Sequence, residues 1–295
     1  MGLRANPTQR QRRLGAELRR LRETSGMSAT DAGALAGLGR AHMSHIEMGR
    51  TAIPEEKLRL LAHAYGCKSP ELVDALVEMA QSTGKGWWTE FRDTLAPTTL
   101  DFAELEASAE VIKTFTLIYV PGLLQTEEYM RALFEIGVPE ADRHYIERGV
   151  EFRLRRGRLL LEEEPPQYYA VVHEAALHMT GVGRDVLVRQ IEHLLELAQL
   201  PHVNIQIIPF RERLALASES QFSIYEPAVP QLGTIHLESP AATLFLTEPH
   251  QLTRYNEDFD NLRQSALPPL DPKTDIGAYS RRDSLGFVQH MLYTL

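Results

Sequence analysis

Five side chains between residues 40 and 45 have the types and spacing that could read DNA bases. They are Arg40, Ala41, His42, Ser44 and His45. Four of the five can donate or accept hydrogen bonds, and the planar fork of an arginine matches the two acceptors that guanine shows in the major groove. Arg40 stands where a helix is expected to begin. We therefore expect Arg40 to make a bidentate contact with guanine.

The spacing of the neighbouring apolar residues places these side chains on the outer face of a helix. Met43 and Ile46 are three residues apart and share the buried face of a helix that begins near Arg40. Before it, Ser28 can cap a shorter helix, and Gly37 can take the left-handed conformation that ends one. The pattern predicts a helix-turn-helix. The alternative is an ordinary helical hairpin inside another helical domain.

The flanking sequence favours the helix-turn-helix, because it supplies three more amphipathic helices. Helices are predicted over Gln11–Thr24, after Pro54 and after Ser69. Together they give five short helices, of which the hairpin provides the second and third. This arrangement resembles the lambda-repressor-like, or Xre-type, DNA-binding domain over roughly residues 14–80. The resemblance implies that the third helix enters the major groove.

Five further residues are candidates for contacts with DNA phosphates: Arg12, Arg13, Ser28, Arg50 and Thr51. Arg50 and Thr51 lie in the loop after the third helix, and Arg12 and Arg13 lie near the start of the first. Phosphate contacts position a module on the duplex without reading its sequence. For Arg12 and Arg13, the alternative is that they only solvate the first helix.

The charge distribution divides the chain. The whole chain has 31 Lys and Arg against 40 Asp and Glu, a net charge of -9 that alone argues against binding nucleic acid. Residues 1–80, however, have 12 basic and 9 acidic side chains, and the remainder has 19 basic and 31 acidic ones. A basic module on an acidic body can still bind DNA, because only the module meets the phosphates. The acidic remainder suits a basic partner or keeps the protein soluble.

Composition also indicates the compartment. The 295 residues, 43% of them hydrophobic, suffice for two domains with cores of their own. No apolar run approaches the roughly 20 residues that span a bilayer, and no apolar segment follows the arginine-rich N-terminus. The single cysteine, Cys67, excludes an internal disulfide and fits a reducing compartment. We expect a cytoplasmic, nucleoid-associated protein that contacts no membrane.

A polar, glycine-bearing stretch from residue 81 to 86 separates the helical region from the rest. It predicts an Xre-type helix-turn-helix domain over residues 1–82 and a second domain over residues 83–295. Trp87 and Trp88 follow the stretch directly. They have two interpretations, as one wall of a ligand pocket or as the anchor of the linker against the second domain. The second is favoured, because each ring can bury a large apolar area.

The second region alternates strand and helix patterns, which predicts a mixed α/β domain and makes the whole chain α+β. Strands are expected at residues 111–119, 168–173, 203–208, 222–225, 233–238 and 243–246. Helices are expected after Thr126, over residues 139–161 and 184–200, and near residues 249–266 and 283–293. On the helix over residues 184–200, the expected apolar face carries Val188, Ile191, Leu194, Leu195 and Ala198.

Several blocks of this second region resemble a large actinomycete family of regulators. They are Val120–Leu133, Phe152–Leu160, His173–Leu177, Val188–Phe210 and Arg254–Leu267. The resemblance implies an antitoxin-like transcriptional regulator, often encoded beside a small partner protein, whose C-terminal domain has no assigned biochemical function. The sequence departs from the family pattern between Pro268 and Arg282, where a polar, proline-bearing segment lengthens the approach to the last helix.

Three segments contain residue types found in active sites, but none has the spacing that the chemistry needs. On a helix, His173 and His178 would point about 140° apart instead of toward one zinc ion. Gly181–Asp185 lacks the lysine of a phosphate-binding loop, and Glu162–Glu164 is best read as a solvated helix end. We therefore expect no catalytic residue, no metal site, no cofactor and no enzymatic activity.

These features lead to one main expectation about function. The chain is expected to bind double-stranded DNA in a sequence-specific way and to regulate transcription as a homodimer, because one short helix offers few base contacts. The C-terminal domain would supply dimerisation and would sense a small-molecule effector or a partner. The alternative is an antitoxin-like protein that mainly sequesters a small partner protein and autoregulates its operon. An enzyme hidden in the C-terminal domain ranks last.

Overall fold

The computed structural model describes residues 3–212, 220–238, 243–271 and 283–295. Their contacts divide the chain into two compact units. The first unit contains Met1–Ser108 and Pro227–Thr234, and the second contains Ala109–Glu226 and Ile235–Leu295. The sequence-based boundary after residue 82 therefore lies inside the first unit. Most of the segment in which the sequence departs from the family pattern lies outside the described residues.

The first unit is helical. Its helices are α1 (Gln9–Thr24), α2 (Ala29–Leu35), α3 (Arg40–Glu47), α4 (Glu55–Ala64), α5 (Pro70–Gln81) and α6 (Pro97–Ala107), with a short 3-10 helix at Trp87–Phe91. The five helices predicted from the sequence are present, and α6 is an addition. The predicted start signals explain the boundaries, since Ser28 and Ser69 cap α2 and α5 through their side chains.

One apolar core joins α1, α2, α3, α4 and α5. Leu18 of α1, Met43 of α3 and Leu58 of α4 are fully buried in it. Leu232 belongs to the same core, although it lies in the distant segment Pro227–Thr234. The helical unit is thus built from two separate stretches of chain.

A six-stranded mixed sheet organises the second unit, as the strand patterns predicted. Its strands are β1 (Val111–Thr116), β2 (Gln167–His173), β3 (Val203–Ile208), β4 (Phe222–Glu226), β5 (Thr234–Glu238) and β6 (Thr243–Leu246). Their order in the sheet is β3-β2-β1-β4-β5-β6. The strands β1, β2 and β3 are parallel, β4 runs antiparallel to β1, and β5 and β6 form an antiparallel pair.

Within the described residues, five α-helices accompany the sheet: α7 (Glu127–Gly137), α8 (Arg143–Gly157), α9 (Arg184–Leu197), α10 (Pro249–Ser265) and α11 (Ser284–Thr294). Thr126 caps α7 as predicted, by accepting a hydrogen bond from the Tyr129 N–H. The helix predicted over residues 139–161 is shorter than expected. Asp142 caps α8 and sets its start, and after Gly157 the chain tightens into a 3-10 helix over Arg158–Leu161.

The buried face of α9 differs in part from the predicted one. Ile191 and Leu194 are fully buried as expected, but Val188, Leu195 and Ala198 are only half-buried. The buried positions also include Leu187, Gln190 and Leu197. The buried face includes a polar residue, Gln190. A pattern of apolar residues alone therefore did not identify which side of this helix is buried.

Gln190 is buried because it completes the backbone of the loop between β1 and α7. Its Oε1 accepts a hydrogen bond from the Thr126 N–H at 2.7 Å, and its Nε2 donates to the Leu124 carbonyl at 2.7 Å. In the same loop, buried Gln125 donates through Nε2 to the Val120 carbonyl at 2.7 Å. Buried backbone groups need such partners. Gln125, in the block that begins at Val120, and Gln190 of α9 therefore hold the backbone of this loop.

Among the described residues, no helix combines the length and the apolar character that crossing a bilayer requires.

Candidate nucleic-acid interface

The turn between α2 and α3 has the geometry that the sequence predicted. Ser28 accepts a hydrogen bond from the Asp31 N–H at 3.1 Å and donates to the Asp31 carboxylate at 2.6 Å. Gly37 ends α2 with a φ of 64°, in the left-handed region. Gly33 lets the turn approach α2, because a Cβ at this position would lie 2.9 Å from the Leu38 carbonyl oxygen. The cap and the glycine-marked turn are confirmed.

The helix α3 begins at Arg40, as expected, and separates its buried and exposed faces clearly. Met43 and Ile46 are 0% and 2% exposed and lie in the core. The candidate base-contacting residues lie on the other side: Arg40, Ala41 and His42 are exposed, and Ser44 and His45 are half-buried. The five candidates are therefore available on one short helix. Their individual roles in base contact stay predictions.

Two glycines allow α3 to lie directly against α1. A Cβ at Gly15 would collide with the Glu47 carbonyl oxygen at the end of α3. Gly49, just after α3, has a φ of 73°, and a Cβ there would lie 2.6 Å from the Gln11 carbonyl oxygen. Any larger residue at either site would separate the two backbones. This close contact fixes the end of α3 relative to α1.

A nearly buried ion pair adds a second constraint between the same two helices. Arg22 of α1 donates to both carboxylate oxygens of Glu47, the last residue of α3, at 2.6 and 3.0 Å. It also donates to the Met27 carbonyl at 2.9 Å, ahead of α2. The hydrogen bond with Glu47 raises the pKa of the Arg22 guanidinium, against an opposing effect of burial. One arginine therefore ties α1, the approach to α2 and the end of α3 together.

The loop after α3 carries two of the predicted phosphate contacts in different settings. Arg50 is exposed, whereas Thr51 is 9% exposed and largely covered. The N-terminal arm lies beside this loop: the Arg4 N–H donates to the Arg50 carbonyl at 2.9 Å, and its guanidinium donates to the Gly49 carbonyl at 3.2 Å. Sequence reasoning did not place Arg4 here, because an extended arm has no periodicity to read.

Arg12 is tied to α6. Its guanidinium lies 3.3 Å from the Asp101 carboxylate, and the Arg12 side chain is 43% exposed. Asp101 also accepts a hydrogen bond from the Gln9 N–H at 3.0 Å, at the start of α1. Burial raises the pKa of Asp101 to about 6, although the Gln9 hydrogen bond and the Arg12 charge oppose this effect. Arg12 can still face solvent, and its contact with phosphate stays a prediction.

The placement of Arg13 is a correction. The sequence offered Arg13 as a phosphate contact or a solvating residue, but it is only 3% exposed. Its guanidinium is surrounded by Glu17 and by carbonyl groups of the segment Pro227–Thr234. That segment lies far away in the sequence, so local periodicity could not reveal it. In this structure Arg13 is an internal residue and does not present its charge to phosphate.

Two family models match the chain, and together they cover most of it. Residues 13–76 match a model described as "Helix-turn-helix domain". Residues 99–272 match a model described as "Domain of unknown function (DUF5753)". The chain belongs to the DUF5753 family. Neither the curated proteins nor the solved structures give a significant match.

The DUF5753 match begins within α6 and includes the segment Pro227–Thr234. Both of these pieces lie in the first compact unit, together with the helix-turn-helix. The helices of the first unit therefore combine residues from the two matched regions. The sequence alone gave no sign of this, because neither α6 nor the distant segment resembles a part of an Xre-type domain.

The two tryptophans lie in the first unit, ahead of the DUF5753 match. Their ring centroids are 6.0 Å apart and the rings are nearly perpendicular. Trp87 makes a similar edge contact with buried Phe91, and the Trp88 ring covers Gly86, where a Cβ would collide with it. Both rings are half-buried. The roles as a pocket wall or as an interdomain anchor stay predictions.

The histidine pair in the DUF5753 region is not on an α-helix, contrary to the geometry assumed for it. His173 ends β2, and Glu174–His178 forms a 3-10 helix. His173 accepts a hydrogen bond from the Ala175 N–H through Nδ1 at 3.2 Å. Across the part of the chain that the structure describes, no three His, Cys, Asp or Glu side chains are placed to hold a metal ion.

Proposed function

We propose that the chain is a sequence-specific DNA-binding regulator of transcription. The helix-turn-helix domain supports DNA binding and a role in transcription. The observation that carries the finer proposal is the outer face of α3, where five adjacent candidates stand on a helix whose opposite face is fully buried. A helix fixed in this way can place side chains against base edges with little freedom, as direct readout requires.

In this proposal α3 enters the major groove with its N-terminal end toward the bases. Arg40 donates two hydrogen bonds to a guanine, and Ala41, His42, Ser44 and His45 set the neighbouring preferences. Arg50 and Ser28 contact phosphates on either side, with Arg12 and the Thr51 backbone as further candidates. These contacts determine the register of the module on the duplex.

We further propose that the regulator acts as a homodimer in the cytoplasm, on the DNA of the nucleoid. One eight-residue α3 makes few base contacts, and a dimer doubles them on a site with two half-sites about 10 bp apart or a multiple of that distance. The DUF5753 region would supply dimerisation and would sense an effector or a partner. In this proposal it has no catalytic role.

The alternative proposal is an antitoxin-like role, in which the chain mainly sequesters a small partner protein and uses DNA binding to autoregulate its operon. The observation that favours it is the charge of residues 81–295, which have 19 basic and 31 acidic side chains. Such an excess would attract a basic partner. A partner of this kind would bind the acidic region and leave α3 free for DNA.

Selection of binding sites from a random DNA library, with the purified full chain, tests the main proposal. We expect an enriched site with guanine at one fixed position in each half. If no sequence is enriched over random duplex DNA at physiological salt, sequence-specific binding is contradicted. Mass spectrometry of proteins that co-purify from the native host tests the alternative, for which a small basic protein in a constant ratio is expected.

A further inference from the structure

The segment Pro227–Thr234 is an integral part of the first unit. Leu232 is 5% exposed and belongs to the core cluster of the helical unit, and Val229 packs against that cluster. The short 3-10 helix at Pro230–Leu232 shapes the segment and turns its carbonyl groups toward α1. This apolar contact disfavours separation of the segment from the helical core, because separation would expose Leu232 to water.

Arg13 of α1 holds the same segment through its backbone. Its Nη2 donates to the Gln231 carbonyl at 2.5 Å, and its Nε lies 3.2 and 3.3 Å from the Leu232 and Gly233 carbonyl oxygens. Three consecutive carbonyl groups thus accept hydrogen bonds from one guanidinium. Backbone acceptors cannot be changed by side-chain rotation, so this contact fixes the path of the segment itself.

The charge of Arg13 is compensated inside the same contact. Its Nη1 donates to Glu17, which is 1% exposed, at 3.1 Å. The Gln231 side chain lies 3.4 Å from the same carboxylate. Burial would raise the pKa of Glu17, but Arg20 and Arg13 outweigh it and the pKa is lowered. A buried charge pair of this kind is costly to break from one side, because the remaining charge loses its partner.

The chain continues from this segment directly into the sheet. Glu226, just before it, is the last residue of β4, and Thr234 is the first residue of β5. These two strands are neighbours in the sheet. On the other side of the contact, α1 carries Gly15 and Arg22, which fix the end of α3. The chain therefore connects β4 and β5 covalently to the segment, and within the first unit the segment contacts α1, which in turn contacts α3.

We propose that Pro227–Thr234 is a regulatory coupling element, and that Arg13 is its positioning residue. A change in β4 or β5, caused by a ligand or partner of the DUF5753 region, moves three carbonyl groups that Arg13 binds. Arg13 passes the change to α1, and the contacts at Gly15 and Arg22 pass it to α3. The coupling is a property of the fold, and only its effect on DNA depends on the proposed function.

The experiment perturbs the second unit and measures α1 in the full chain. Ile235→Ala removes buried apolar atoms from β5, one residue after the segment, and Leu194→Ala does the same in α9. Each is made in the native chain and with Arg13→Met. Hydrogen exchange of the α1 amides reports local opening. We expect Ile235→Ala to speed this exchange about fivefold or more, and Leu194→Ala to leave it within about twofold.

The Arg13→Met background provides the decisive comparison. There we expect faster α1 exchange from the start and no further increase on adding Ile235→Ala. Arg19→Met is the matched control, because Arg19 lies on the same helix in an exposed pair with Glu23. Equal α1 responses to Ile235→Ala and Leu194→Ala, no response to either, or an undiminished response without Arg13 would each overturn the proposal. If Ile235→Ala does not fold, Ile235→Val replaces it.

The same variants are then titrated with the selected DNA site. We expect Ile235→Ala to change DNA affinity more than Leu194→Ala does, and only when Arg13 is present. If the native chain binds no specific site, the proposed function is wrong, while the exchange result still decides the coupling. If DNA binding is specific but insensitive to every variant, the segment is a structural part of the fold without a regulatory effect, and the proposal is wrong.

Discussion

The two most recognisable sequence motifs of this chain use their polar residues in opposite ways. In the helix-turn-helix, Arg40, His42 and their neighbours lie outside, while apolar residues hold α3 in place. In the block that begins at Val120, Gln125 is buried and bonds the backbone, and Gln190 completes the same loop from α9. The first motif marks a surface that can bind a ligand. In the second motif, the two glutamines hold the backbone of a loop.

The same contrast separates the arginines within the first unit. Arg13 and Arg22 of α1 are buried and bind carbonyl or carboxylate groups of distant residues. Arg40 and Arg50, at the two ends of the α3 region, are exposed. Residue type and charge are identical in the two pairs, so only the partners distinguish a structural arginine from a candidate DNA contact. Substitution of a buried and of an exposed arginine should therefore have different effects.

The largest expected effect is on the buried pair between α1 and α3. Arg22→Met removes one partner and leaves the Glu47 carboxylate buried without its cation, which should lower the free energy of unfolding of the first unit by about 3–5 kcal/mol. Chemical denaturation measures this loss. Arg19→Met is the control, because water screens its exposed pair with Glu23 and its loss should change stability little. Equal losses in the two variants would show that burial does not decide the role of an arginine here.

The next largest effect tests the interior polar residues of the second unit. Gln190→Leu leaves the Thr126 N–H and the Leu124 carbonyl buried without partners, which should lower the unfolding free energy by about 2–4 kcal/mol. Gln199→Leu, at an exposed position after α9, should change it by less than about 0.5 kcal/mol. Thermal unfolding of the full chain with each variant makes the comparison. If Gln190→Leu leaves the free energy of unfolding unchanged, the two hydrogen bonds of Gln190 do not stabilise the fold.

How far the sequence predicts this structure depends on the distance between the residues involved. Ser28, Gly37 and Met43 were placed correctly, because caps, turns and helix faces are set by neighbours within a few positions. Six strands and their approximate bounds also followed from local patterns. Arg13 and Gln190 could not be predicted, since their partners lie on other elements and no period connects them. The face of α9 was partly misjudged for the same reason.

The buried carboxyl group of Asp101, which accepts a hydrogen bond from the Gln9 N–H, should make the stability of the protein depend on pH. Because the folded pKa of Asp101 is raised to about 6, above an ordinary value of about 3.9, its contribution to stability is present below about pH 4 and is lost as the pH rises to about 6. The loss is about 2–3 kcal/mol. Asp101→Asn keeps an oxygen acceptor for the Gln9 N–H and does not ionise.

The measurement is the unfolding free energy of both proteins between pH 4 and 7. We expect the difference, Asp101→Asn minus native, to rise in favour of the variant between pH 4 and 6 and to stay constant above pH 6. Subtraction removes the other carboxylates, which both proteins share. A difference that is independent of pH would mean that Asp101 has an ordinary pKa and that its burial is less complete than the structure shows.

Among the exposed arginines, Arg40→Ala should leave the free energy of unfolding unchanged but should remove the preference for the contacted guanine. We expect the selected site to lose about 1–3 kcal/mol of preference over a site with the contacted guanine replaced, while binding to random DNA persists. Fluorescence titration with both duplexes gives the two affinities. Arg59→Ala, on the outer face of α4, is the control and should retain the preference. Undiminished discrimination in Arg40→Ala would assign base reading to another residue of α3.

The smallest expected effect belongs to Arg50. If it contacts one phosphate, Arg50→Ala should weaken binding to all sequences alike and should reduce the slope of log affinity against log salt by about 1. Arg13→Met should leave that slope unchanged, because its guanidinium is buried against carbonyl groups. Titrations at several salt concentrations measure both slopes. The opposite result, a reduced slope for Arg13→Met and a native slope for Arg50→Ala, would contradict the distinction between buried and exposed arginines. Counterion release would then depend on the buried residue.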